Sequence, residues 1–230
     1  MGGRGARRFV VAVTVFVVLL VAADRIGLYL AERTAGNTIQ SSQKLSDRPA
    51  VQVSGFPFLT QLAAGDFDQV TVTARDVPVG ERVHLLDISR IKVVLHKVTV
   101  ARDFSRVSAQ TANATASVSF AELGRTLGMD VAYAGGGRIK ATKKVTVLGD
   151  TVQASVTTRP ALVDGALSFT ATAINGAGEL GDQVTSALNS VFDLAVPLQG
   201  IPFKIRVRSL QVDGSGMHIA FTGSHLIYSG

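Results

Sequence analysis

The sequence predicts an α+β protein that is mainly antiparallel β, with a strongly curved sheet wrapped around an amphipathic helix. Three observations carry that reading. Apolar and polar residues alternate with a period of two over several separate stretches, turn signals rich in glycine divide those stretches, and one late segment switches to helical spacing.

The N-terminus comes first. Phe9 to Ala23 carries no charge, follows Arg4, Arg7 and Arg8, and precedes Asp24. This is the layout of an export signal or a membrane anchor. The run sits at the upper end of a signal-peptide core and falls short of the roughly 20 residues of a spanning helix. Against cleavage, Val21-Ala22-Ala23 is only a passable small-residue site, and Ile26, Leu28, Tyr29 and Leu30 can continue the same helix. Residues 1–23 are therefore read as signal or anchor. Either way the arginines stay cytoplasmic, and residues 24–230, read as a single domain, are exported to the outer face of the membrane or the periplasmic space, anchored or released.

Residues 24–45 lack proline, and Leu28, Ala31, Ala35 and Ile39 recur at helical steps, which predicts a weakly amphipathic helix ended by Pro49. Ala50 to Ser54 reads as a short strand. A dense apolar patch follows, Gly55-Phe56-Pro57-Phe58-Leu59 through Leu62 to Gly65 and Phe67. Alternation then begins: Val70, Val72 and Ala74; Ala112, Ala114, Ala116, Val118 and Phe120; Val152, Ala154 and Val156; Leu167, Phe169, Ala171 and Ala173. Gly135-Gly136-Gly137, Gly149-Asp150, Asp164-Gly165 and Asp213-Gly214 mark turns, so the strands run as hairpins. Two strands change phase, at Leu95 to Val98 and at Val207 to Leu210, as β-bulges or crossings between surfaces demand. Curved sheets are built with such devices. Val184, Ala187, Leu188, Val191, Phe192 and Ala195 form an apolar helical stripe bounded by Pro197, and a hairpin of 203–212 with 217–228 ends the chain.

Composition removes whole classes of function. Half of the net charge of +6 belongs to the three N-terminal arginines, there is no Trp, only three Tyr, and the densest basic cluster holds no aromatic. Nucleic-acid binding lacks its stacking residues. With no Cys, thiolate metal sites, Cys nucleophiles, disulfides and a lipidated cysteine are excluded. Gly176-Ala177-Gly178-Glu179-Leu180-Gly181 matches a dinucleotide fingerprint, but residues 196–203 offer no acid and the flanking strands read as hairpins. His84, His96, His218 and His225 form no metal-binding or nucleophile-elbow pattern. Asp66 and Asp68 lie beside turns, where Asp is expected for backbone reasons.

The segment from Val51 to Val77, with Gly55-Phe56-Pro57-Phe58-Leu59, Gly65, Phe67 and Val70-Thr71-Val72-Thr73-Ala74, resembles the actinobacterial LmeA-like phospholipid-binding family. The likeness continues to Ile201-Pro202-Phe203 and Asp213-Gly214. It implies a cell-envelope protein that holds phospholipid in an apolar cavity, with a curved sheet around a helix similar to tubular lipid-binding domains. It implies no catalytic residue. The residues read alone agree, since strands faced with Ala112, Ala114, Ala116, Ala171 and Ala173 leave room that larger side chains would fill, and burying acyl methylenes at about 0.8 kcal/mol each needs shape rather than a motif.

The expected function is to hold, present or transfer a phospholipid beside the membrane, without catalysis, cofactor, metal or nucleic acid; the sequence identifies no protein partner. The candidate lipid-binding residues are Phe56, Phe58, Leu59 and Leu62, a patch that is either core or binding surface, with Leu188, Val191 and Phe192 from the late helix. Arg138, Lys140, Lys143 and Lys144 are the candidates for meeting headgroups or the membrane surface. The rival readings are a hydrolase or glycosyl-transfer accessory acting on envelope glycolipids, and an interaction module without a ligand.

Overall fold

The computed structural model describes residues 3–79, 86–101, 106–147, 150–163, 166–175, 196–197 and 206–229. It opens with a single helix, α1 (Gly3–Gln43), about 60 Å long at ~1.5 Å per residue. This helix is long and apolar enough to cross a membrane, and its N-terminal half touches almost nothing else in the protein. The expected stripe appears in the other half. Leu28, Ala31, Ala35 and Ile39 are half-buried there and Gly36 beside them is buried, while Tyr29, Leu30, Arg33, Thr34, Asn37 and Thr38 reach solvent.

β1 (Ala50–Ser54) lies under that stripe, and Glu32 Oε1 accepts a hydrogen bond from its Val53 amide at 2.8 Å. The chain then forms a short helix, α2 (Phe58–Ala64), and enters the long strands β2 (Asp66–Val79), β3 (Leu86–Val100) and β4 (Arg106–Val118). Gly65 joins α2 to β2. At φ 74° it caps the helix with αL backbone, its carbonyl accepts the Val100 amide at 2.8 Å, and a Cβ there would stand 2.6 Å from the Val100 carbonyl oxygen.

A helix that the sequence reading did not anticipate, α3 (Phe120–Leu127), leads to β5 (Asp130–Gly135), β6 (Arg138–Val147), β7 (Asp150–Val163), β8 (Ala166–Asn175) and the two-residue β9 (Val196–Pro197). Phe120 was expected to continue the alternation of β4. Instead Ser119 stops the strand: its hydroxyl accepts the Glu122 amide at 3.2 Å, so Ser119-Phe120-Ala121-Glu122 acts as a helix start. The chain ends in the hairpin β10 (Arg206–Asp213) and β11 (Gly216–Ser229). The late helix predicted around Leu188, Val191 and Phe192, the Gly176–Gly181 motif, His84 and the Ile201-Pro202-Phe203 station lie outside the described residues.

Among the described residues every strand pairing is antiparallel, in a six-stranded sheet of order β1-β2-β3-β4-β11-β10 and a five-stranded sheet of order β5-β6-β7-β8-β9. β8 pairs antiparallel with both its neighbours among the described residues, unlike the parallel strands of a dinucleotide fold. The inner face of the five-stranded sheet is tightly closed by Ile139, Ala141, Ala154, Val156 and Thr158. Val118, Leu123 and Met217 form a core cluster that Val131 of β5 joins to Leu210 and Val212 of β10, linking the two sheets.

The six-stranded sheet bends where the sequence changes phase. Val70, Leu95, Ala112 and Gly223 are cross-strand neighbours, and the next apolar row is Phe67, Val98, Ala109 and Leu226, a step of three on every strand. Lys97 and His225 supply the extra residue in αL backbone, at φ 50° and 53°. A second such step separates the Ala74–Ile91 pair from the Val77–Ile88 pair, with Asp76 at φ 48°. The expected shift after Val207 is also present, as a bulge between Val207 and Ser209.

An L residue in αL backbone costs about 1–2 kcal/mol. His225→Gly should therefore stabilise the protein by up to about 1 kcal/mol in urea unfolding, whereas Ser224→Gly, one residue away in ordinary strand, should destabilise it by about 0.5–1 kcal/mol.

Candidate functional site

Residues opposite one another on neighbouring strands share a face. The register of the six-stranded sheet therefore builds one apolar surface from rows such as Val53–Val70–Leu95–Ala112–Gly223 and Val51–Val72–Val93–Ala114–Phe221–Val207. The other surface carries Lys92, Thr111, Asn113 and Thr115, all exposed. A polar outer face is solvated at no penalty. The apolar face is only partly covered: Val70, Val72, Val93, Leu95, Ala114 and Phe221 are half-buried, while Ala74, Val98, Ala109, Ala112, Ala116 and Ile219 on the same face are buried. From Ala109 to Val118 this surface runs about 30 Å at ~3.3 Å per residue. A lipid tail occupies roughly 15 Å, half the hydrocarbon core of a bilayer. The surface is longer than an acyl chain.

Each end of this surface is closed differently. At one end Phe58 is 1% exposed, its ring centroid 6.3 Å from that of Phe67, and its side chain lies against α1 at Gly27. At the other end stands the Val118–Leu123–Met217 cluster. Beyond that cluster α3, β5 and β6 enclose an open groove of about 750 Å³, lined by apolar Phe120, Met129 and Val131, by the cations Arg125, Lys143 and Lys144, and by one carboxylate, Asp130.

The structure thus divides both sets of sequence candidates. Of the glycine-bounded patch, Phe58 is buried, while Phe56, Leu59 and Leu62 are exposed beside α1. Of the basic cluster, Lys143 and Lys144 line the groove, whereas Arg138 sits at the β5–β6 turn with its Nε donating to the Gly135 carbonyl, and Lys140 is exposed between them. A strand spreads such residues: Arg138 and Lys144 stand roughly 20 Å apart at ~3.3 Å per residue. Arg125 was missed in the sequence reading. It pairs with the buried Glu122 carboxylate one helical turn earlier, and the Ser119–Glu122 helix start was the signal that could have revealed it.

Asp213, Ser215 and His218 cluster on the β10–β11 hairpin. Asp213 Oδ1 accepts the Ser215 amide at 2.8 Å and hydroxyl at 2.6 Å, and the same Nε2 of His218 reaches both Ser215 Oγ at 3.0 Å and Asp213 at 3.3 Å. Nδ1 of that ring faces Ser117 Oγ at 2.9 Å. A hydrolytic triad needs the acid on one ring nitrogen and the nucleophile on the other. Ser215 shares Nε2 with Asp213 and so does not meet that requirement; the hydroxyl on the other nitrogen is Ser117 of β4, and the Asp213–Ser215 contacts lie within the β10–β11 turn. Among the described residues no three His, Asp or Glu side chains are placed to hold a metal ion.

The architecture defines a class: an antiparallel β protein with one long, partly covered apolar sheet surface and a helix apolar enough for a membrane. Comparison with protein families gives the particular member of that class. The LmeA-like phospholipid-binding family model matches residues 22–222, and the chain belongs to that family. Comparison with curated proteins finds no match.

Two outcomes check this geometry. Phe58→Ala should destabilise the protein by about 3–5 kcal/mol in urea unfolding, the effect of emptying a buried aromatic site. The Asp213 carboxyl, held down to about 2 chiefly by the Ser215 hydroxyl and amide and further by His218, should titrate near that value in carboxyl-carbon NMR. Because its folded-state value lies below the ordinary Asp value of 3.8, its stabilisation of the hairpin is present above that pH and is lost as pH falls towards about 2.

Proposed function

We propose that the protein holds a phospholipid with its acyl chains laid along the apolar face of the six-stranded sheet, and that it presents or transfers that lipid at the outer face of the cytoplasmic membrane. The observation that carries this reading is the contrast between the two sheets. On one apolar face Ile139, Ala141, Ala154, Val156 and Thr158 are all buried, whereas on the other Val70, Val72, Val93, Leu95, Ala114 and Phe221 stay half-buried among buried neighbours. Family membership supports phospholipid as the ligand class.

The lipid phosphate is assigned to the groove lined by Arg125, Lys143 and Lys144. These cations lie beyond the core cluster that ends the apolar face, with apolar Phe120 and Val131 beside them. Ser119 at the start of α3 donates its amide to Ser89 Oγ on β3, whereas α2 meets the same strand at Val100. The groove and α2 therefore occupy opposite ends of β3. The basic groove suits the phosphate of a carried lipid better than it suits the bilayer beside α1.

Native mass spectrometry of the protein purified without added lipid tests the reading. The wild type should carry phospholipid at a fixed stoichiometry. Ala114→Trp, which fills the middle of the apolar face, should exclude at least two methylenes, about 1.6 kcal/mol, and so lower uptake of fluorescent lipid from vesicles by 10-fold or more. Lys143→Gln with Lys144→Gln should keep the adduct but weaken the preference for anionic lipid, with a flatter salt dependence. Lipid-free wild-type protein that takes up none from vesicles would overturn the proposal.

A further inference from the structure

The apolar run of α1 is too short for the membrane it would cross. Phe9 to Ala23 covers roughly 22 Å at ~1.5 Å per residue, against a hydrocarbon core of about 30 Å, so about five further residues must lie at hydrocarbon depth or the bilayer must thin. The next residues along the helix are Asp24 and Arg25. A bare carboxylate at that depth is strongly unfavourable.

The fold hides it. Asp24 is 3% exposed, its Oδ2 paired with the Arg25 guanidinium and its Oδ1 accepting the Leu59 amide of α2 at 2.8 Å. The Arg25 guanidinium in turn lies 5.2 Å from the centroid of the Phe56 ring. Both charges are thus paired and screened by residues from α2 and the turn before it. The surface that α2 offers outward is apolar: Phe56, Leu59 and Leu62 are 64%, 41% and 44% exposed, and Leu59 packs on Gly27 of α1. On α1 itself Ile26, Tyr29 and Leu30 are exposed at the same level, and the Tyr29 hydroxyl accepts a hydrogen bond from Arg33 at 2.8 Å, an aromatic and a cation suited to an interface.

We propose that α2 and Phe56 are seated in the outer interface of the same bilayer that receives α1, extending the apolar band of the anchor from Ala23 to about Leu30. The occupant of this patch is the bilayer itself, because the patch is continuous with a helix segment of mean hydropathy 2.4 that the protein leaves 6% buried. The extension also matches the shortfall, since the layer between hydrocarbon and water is only about 5–7 Å deep and α2 attaches within two turns of the end of the run. Retention of α1 as an anchor follows. Cleavage before Asp24 would leave α2 its capping carboxylate but remove the bilayer segment beside it.

The chain has no cysteine, so single-cysteine reporters are unambiguous. Full-length Phe56→Cys and Leu62→Cys proteins, labelled with an environment-sensitive fluorophore and reconstituted in phospholipid vesicles, should show blue-shifted emission quenched by spin labels at shallow acyl positions. Val15→Cys should be quenched by deep labels, and Thr111→Cys, on the polar face of the sheet, by neither. Circular dichroism of each labelled protein establishes that it is folded. Phe56 and Leu62 reporters as aqueous as Thr111 would overturn the proposal, as would a Val15 reporter outside the bilayer. None of these readings depends on whether the domain carries a lipid, so the carrier function and the membrane seat stand or fall separately.

Discussion

The apolar face of the six-stranded sheet has to remain continuous while the sheet bends, and most of the fold follows from how that is achieved. Side chains alternate between faces with a period of two, so a bend that adds one residue to a single strand would turn its later side chains to the wrong face. Here β2, β3, β4 and β11 all take a step of three at the same level, which keeps Phe67, Val98, Ala109 and Leu226 on the face of Val70, Leu95, Ala112 and Gly223. The register between strands survives because they shift together. αL backbone at Lys97 and His225 is the local strain that this continuity requires.

That continuity creates the surface on which the functional proposal rests. The alanines of β4 keep the middle of the face shallow, Phe58 closes it towards α1, and Met217 with its neighbours closes it towards α3. The five-stranded sheet has the same alternation but a different outcome. There, Ile139, Ala154 and Thr158 are inaccessible to solvent. Alanine faces on strands are thus compatible with either a closed core or an open surface, and packing between layers decides which.

A single carboxylate ties the apolar helix to this architecture. Asp24 directly follows the apolar run, and it is also the residue that receives the Leu59 amide of α2. Burial of that charge is tolerable only because Arg25 and the amide compensate it. Glu32 repeats the arrangement two turns later by accepting the Val53 amide at the free edge of β1. The helix is therefore hydrogen-bonded to the domain at two heights, and its orientation relative to the sheet is set by polar contacts as well as by the Leu28–Ile39 stripe.

The period of the strands, two of the phase shifts, after Leu95 and after Val207, and the stripe on α1 were legible in the sequence, because each is a local pattern; the steps at Asp76 and His225 were not. The family was legible too, from the glycine-bounded patch and the strands after it. Tertiary structure alone decided the roles within that patch. Phe56 and Phe58 look alike in sequence, and a helix of seven residues is too short to reveal its buried side by periodicity, so only the approach of α1 and β2 sends Phe58 inward and leaves Phe56, Leu59 and Leu62 outside. The dispersal of Arg138 to Lys144 along one strand, and the addition of Arg125 from a helix hidden behind an apparent strand residue, likewise depend on which elements meet. Asp24 gave no sign in its own surroundings of binding an amide 35 residues away. A contact between distant segments exists only once the chain between them has folded, and no local pattern encodes it.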